Sequence, residues 1–105
     1  MPIGQENYEA AGRSTPQAVE AEIAFLGGVM QDTDALSEVI SLLDPEDFYQ
    51  ERHRIIWEAL QKQSQLNIPI GIVTLSASLE KENRLEAAGG RDYLLRLVES
   101  VGSAA

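Results

Sequence analysis

The stretch TPQAVEAEIAFLGGVM, residues 15–30, places Val19, Ile23, Leu26 and Met30 at successive steps of four, three and four. That spacing is a single apolar stripe on an α-helix. Thr15 is a good N-cap, and Pro16 fits the first helical position, where its missing N–H has no partner to lose. Glu20 and Glu22 are expected off the stripe, near the positive end of the helix, where acids are favourable. Gly27 and Gly28 lower the helix propensity. Two glycines inside a helix suggest close approach by a neighbouring helix rather than a break.

The same signals recur downstream. Asp32 or Thr33 caps a second helix, with Leu36, Val39, Ile40 and Leu43 at i, i+3, i+4 and i+7. Asp44, Pro45, Glu46 and Asp47 form a further start signal and launch a short turn carrying Phe48 and Tyr49. A third helix follows over about 52–66, with Ile55, Ile56, Ala59 and Leu60 inward, Trp57 at one edge, and Asn67 able to end it in the left-handed conformation. Residues 68–72, IPIGI, are extended, because a residue before proline is pushed out of the helical region. Thr74 is expected to cap a fourth helix with Leu75 and Leu79 buried. Residues 85–88 make one more turn, stopped by Gly89 and Gly90. The last helix turns Tyr93, Leu94, Leu97, Val98 and Val101 inward. Residues 68–73 are the one strand candidate and have no partner strand. The expected fold is all-α, a compact orthogonal bundle of five main helices plus one or two short helical turns. It occupies residues 15–105, behind a mobile tail at 1–14.

Composition narrows the chemistry. The chain has 105 residues, enough for one domain, and no cysteine, so disulfides, thiolate nucleophiles and Cys-based zinc sites are excluded. The first twelve residues lack the basic and apolar regions of a signal peptide, and no apolar run is long enough to span a bilayer. Cytoplasmic localisation is therefore expected. With 17 acids against 8 bases the formal charge is −9, so the chain as a whole repels a phosphate backbone and suits a partner protein with a basic face. His53, the sole histidine, cannot be assembled into a catalytic or metal-binding constellation from spacing alone and reads as a surface or half-buried side chain. The pairs Glu20/Glu22, Asp32/Asp34 and Glu46/Asp47 each sit at a helix start. Neither Gly-Gly pair is followed by Lys-Ser or Lys-Thr, so there is no phosphate-cradling loop. Two features remain for a binding role: the acids of the first helix, and Tyr93 on the last helix, which reads either as an interface anchor or as core.

The order of motifs adds a resemblance. Pro16 to Glu22 leads into Leu26-Gly27-Gly28-Val29-Met30. Then come Pro45-Glu46-Asp47-Phe48-Tyr49, His53-Arg54-x-Ile56, Ile68-Pro69-Ile70, Val73-Thr74-Leu75, Leu85-Glu86-x-x-Gly89-Gly90 and Tyr93-Leu94. This series resembles the N-terminal domain of the DnaB-type bacterial replicative DNA helicases, from about Pro16 to Ala105. The resemblance implies a helical head that docks the C-terminal domain of primase and helps other helicase subunits form the collar of a hexameric ring; a helicase loader is a further possible partner. It implies no catalytic residue, metal or cofactor in this chain, with ATP and Mg²⁺ confined to a motor domain that the chain does not contain. Glu20 matches the first acid of the family's first helix and Tyr93 the aromatic after its Gly-Gly pair, and both are expected to bind the partner. Gly71 stands where the family often has Asp, which leaves more of the capping to Thr74. The competing reading is a free-standing acidic adaptor built on the same head.

Overall fold

In a computed structural model, residues 16–102 are described, and within them five α-helices and one 3-10 turn form without any strand. They are α1 (Pro16–Met30), α2 (Thr33–Val39), a 3-10 turn (Pro45–Asp47), α3 (Glu51–Gln65), α4 (Ile72–Lys81) and α5 (Gly90–Gly102). The all-α architecture is as expected. The expected tail and residues 103–105 lie outside the described residues. No described helix is long and apolar enough to cross a membrane.

The starts of α2 and of the 3-10 turn follow local chemistry, α3 and α4 begin without a side-chain cap, and Thr15, the expected cap of α1, lies outside the described residues. Asp32 caps α2, its carboxylate accepting from the Ala35 N–H at 3.1 Å. Asp47 turns its carboxylate back to the Asp44 N–H at 2.8 Å and closes the 3-10 turn that delivers Phe48 to the core. Helix α4 departs from expectation. It starts two residues before Thr74, with Gly71 at the N-cap and no side-chain cap. The Thr74 hydroxyl faces the carbonyls of Pro69 and Gly71, at 2.7 and 3.1 Å, and so donates to the preceding strap instead of capping the helix. With glycine at the cap, no side-chain oxygen is available there to take a free N–H.

Three stops share one geometry. After α3, Asn67 takes φ 57°, its N–H reaching the Ser64 carbonyl while Ile68 N–H reaches Gln63. After α4, Asn83 at φ 58° does the same with Glu80, and Arg84 with Leu79. The turn over 85–88 ends with Gly89 bonded to Glu86 and Gly90 to Leu85. These paired bonds satisfy the last carbonyls of each helical segment, and the left-handed residue turns the chain away.

The core lies where α1, α3, α4 and α5 meet. Leu26, Ile56, Leu60, Leu75, Leu94 and Leu97 are wholly buried. The first and last helices make the most extensive contact in the fold. Gln31 ties their ends together, donating from Nε2 to the carbonyls of Gly27 and Val98. Gly28 needs no close neighbour, since a Cβ there would meet nothing within 4 Å. The close approach expected of the pair is therefore absent at Gly28. Trp57 is also not at an edge. It is fully buried in an aromatic cluster with Phe25 and Phe48, ring centroids 5.7 and 5.3 Å away, and its indole N–H donates to the Leu43 carbonyl at 3.0 Å. That single bond satisfies the one polar atom of the ring, which lets a large apolar surface go inside. Gln63 is buried without such help, and neither atom of its amide has a partner among the described residues.

Gly89 and Gly90 both have positive φ, 106° and 83°, but only Gly89 is crowded, with a would-be Cβ 2.8 Å from Tyr93 side-chain carbons. Gly90→Ala should therefore lower stability by about 1–2 kcal/mol, the backbone term alone. Gly89→Ala should cost about 1–3 kcal/mol more, from overpacking against Tyr93. Denaturant titration of the two variants side by side checks the difference.

Candidate functional site

Three helices converge on the sole histidine. His53 opens the buried face of α3, which continues through Ile56, Trp57 and Leu60 at helical spacing. No part of His53 is exposed. Its Nδ1 lies 2.7 Å from Glu22 Oε1 on α1, and its Nε2 lies 2.6 Å from the Tyr93 hydroxyl on α5. The second Glu22 oxygen accepts from the Tyr49 backbone N–H at 2.5 Å. The Arg52 guanidinium covers the outer side of the Tyr93 ring, its Cζ 4.1 Å from the centroid.

The proton positions follow from the partners. A carboxylate only accepts, so Nδ1 carries the hydrogen and donates to Glu22. In neutral imidazole Nε2 is then an acceptor, and the Tyr93 O–H fills it. Every polar atom of the imidazole is satisfied with the ring uncharged. Burial is the main cause that holds the His53 pKa below its ordinary value; the Glu22 hydrogen bond and charge oppose this, and Arg52 reinforces it. Burial likewise raises the Tyr93 pKa, keeping the hydroxyl a donor. A protonated His53 would turn both ring nitrogens into donors and displace the Tyr93 hydrogen bond.

The arrangement has the residue types of acid–base catalysis but not the access. Both nitrogens of His53 are engaged, and only 8% of Tyr93 is exposed. The Glu22 side chain is 15% exposed, and His53 is wholly buried. Among the described residues no group of three or more His, Asp or Glu side chains is placed to hold a metal ion.

The expected site residues separate. Glu20 is exposed, and its side chain makes no hydrogen bond or ion pair among the described residues. Tyr93 is inside, which places it on the core side of the alternative left open by its spacing. The acid that reaches Tyr93, through His53, is Glu22. It was expected off the stripe, yet with Val19, Leu26 and Val29 it falls at i+3, i+7 and i+10 of the same face, and its side chain is 15% exposed. His53, expected at or near the surface, is wholly buried. The signal that could have found it is its position four residues before Trp57 and seven before Leu60. Hydrophobicity alone does not read a histidine as a core residue, because burial requires partners from distant segments.

Comparison with known proteins gives a consistent result. The sequence model described as the DnaB-like helicase N terminal domain matches residues 14–105. The replicative DNA helicase DnaB of Geobacillus stearothermophilus is 40% identical over 93 residues, which is 89% of this chain and 20% of that protein. DnaB of Rhodothermus marinus is 37% identical over 98 residues, 93% of this chain and 10% of that protein. The chain thus spans a fifth or less of the length of these relatives. The crystal structure of the N-terminal domain of DnaB helicase from Mycobacterium tuberculosis superposes with a TM-score of 0.75 at 32% identity, covering 79% of this chain and 59% of that one.

The buried histidine makes stability depend on pH with a definite sign. The unfolded chain protonates His53 near its ordinary value of 6.5, and the folded chain only at lower pH. The stabilisation is complete above 6.5 and is lost as pH falls from there through the lower folded pKa. The melting temperature should therefore start to drop just below pH 6.5, before carboxylates protonate. His53→Gln should melt lower at neutral pH but lack that early slope. Tyr93→Phe should cost about 1–3 kcal/mol by leaving Nε2 buried without a donor, and Tyr93→Ala about 3–5 kcal/mol as a large core truncation. Melts recorded across pH for the wild-type chain and these variants supply the check.

Proposed function

Because the chain belongs to the family of DnaB-like helicase N-terminal domains, we propose that it is the non-catalytic docking head of a replicative DNA helicase. It receives the C-terminal domain of primase and, beside the heads of other helicase subunits, helps build the collar of a hexameric ring. ATP and Mg²⁺ belong to a motor domain outside this chain, and a helicase loader is a further possible partner of the same collar.

The observation that carries this reading is the inward commitment of the histidine and of Tyr93. The side chains that could perform chemistry hold three helices together, and the outer surface is left for recognition. That surface is acidic: the formal charge is −9, and Glu20 stands free on α1. Acidic groups at the rim of an interface steer a basic partner and raise the rate of encounter more than they lower the rate of escape. Attachment of primase to such a head keeps primer synthesis at the fork, with no chemical step in the head itself.

Titration of the chain with the purified primase C-terminal domain tests the reading. Binding should weaken as salt rises, by screening of the acidic face. Glu20→Lys should raise Kd by about tenfold, equivalent to ~1.4 kcal/mol, through a slower association rate. Its melting temperature should match that of the wild-type chain, since the exposed Glu20 side chain makes no hydrogen bond or ion pair among the described residues. An unaltered Kd for Glu20→Lys would remove Glu20 from the interface, and no binding by the wild-type chain would remove primase as the partner.

A further inference from the structure

The buried chain of hydrogen bonds ends at the surface in two groups with a different character. One is Arg52. Its Nε donates to Gln50 Oε1 at 2.8 Å, and its two terminal nitrogens have no partner among the described residues. The other cations of α3 are engaged: Arg54 donates to the carbonyls of Phe48 and Tyr49, and Lys62 pairs with Glu82. The second group is Tyr49, whose backbone is clamped at both ends, N–H to Glu22 and carbonyl to Arg54, while the residue is 42% exposed. Tyr93 supplies the platform for Arg52, and Glu22 supplies the clamp for Tyr49. His53 joins the two supports.

We propose that Arg52 and Tyr49 form the contact patch for the docking partner, and that Tyr93, His53 and Glu22 are positioning residues behind it. This rests on the docking function proposed above. The partner chemistry follows from charge. A guanidinium stacked on an aromatic ring, with its two terminal nitrogens free, takes a carboxylate end-on in a bidentate pair. The partner surface therefore carries an Asp or Glu set against Arg52, beside an apolar side chain that packs on the Tyr49 ring. On a chain of net charge −9, Arg52 stands among the cations Arg54 and Arg96 near Tyr49 and Tyr93, and this local inversion fixes register, since a uniformly basic partner would leave Arg52 opposed by like charge. Stacking on Tyr93 holds the guanidinium before binding, so little side-chain freedom is lost in the complex. Tyr and Arg are also the residue types that concentrate binding energy at interfaces.

The test separates contact from support. Calorimetric titrations use the primase C-terminal domain as the probe, beside thermal melts and circular dichroism of each variant. Arg52→Ala should raise Kd by about tenfold or more and flatten its salt dependence, with Arg52→Lys recovering part of the loss. Tyr49→Ala should weaken binding with little change in melting temperature. Tyr93→Phe keeps the ring beneath Arg52 but loses the hydroxyl. It should melt lower while its Kd stays within about threefold of wild type at a temperature where both are folded. A folded Arg52→Ala variant with wild-type Kd overturns the patch while leaving the docking function standing. Strong loss of binding by folded Tyr93→Phe overturns the division into contact and support. Failure of the wild-type chain to bind at all overturns the docking function and this patch with it.

Discussion

The hydrogen-bonded chain from Glu22 through His53 to Tyr93 is the constraint on which the rest of the molecule rests. It joins the first, third and last long helices across 31 and 40 residues of sequence. An apolar contact among the same helices would tolerate rotation or a slip of one turn. Two hydrogen bonds to opposite nitrogens of one ring do not, because each has a narrow range of length and angle. The low dielectric of the interior strengthens a fully satisfied network and makes a partly satisfied one costly. The network therefore acts on register as much as on stability. A buried polar group whose partners all lie on other elements ties the helices to one arrangement, while the leucines around it supply most of the favourable free energy.

The same network sets histidine, tyrosine and glutamate in a row, each engaged by the next. Catalysis by these groups needs one end of the chain open to a reacting atom. Here the inner end is capped by Tyr93, itself covered by Arg52, and the outer carboxylate is occupied by the Tyr49 N–H. Together these groups tie α1, α3 and α5 to one another. The chain belongs to the family of DnaB-like helicase N-terminal domains, and its formal charge is −9.

The helix ends carry a related division of labour. Asn67, Asn83 and Gly89 each stop a helical segment with the same pair of backbone bonds. Because these closures satisfy carbonyls within the segment itself, the linking straps can be short and the helices can pack at their ends. Gly89 adds a second role, since its missing Cβ makes room for Tyr93. The turn that ends one segment thus sets the position of the residue that closes the central network.

Some of this was legible in the residues alone. The apolar stripes of α1, α3, α4 and α5, the Asp32 cap, the Pro45 turn and the left-handed Asn67 all arise from interactions within about four residues, and local spacing encodes them directly. Where a local signal was weaker than its surroundings, it failed: Thr74 was outrun by a helix that starts at Ile72, and Gly28 has no close neighbour. Glu22, His53 and Trp57 were misplaced for one shared reason. Each is polar or amphipathic and enters the interior only because a partner from far along the chain meets it, the imidazole for Glu22, Glu22 and Tyr93 for His53, the Leu43 carbonyl for Trp57. The sequence by itself determined where helices run and where they stop, since those depend on neighbours in the chain. Only the tertiary structure decided which polar side chains turn inward, because the free energy of burying them depends on hydrogen bonds made across tens of residues.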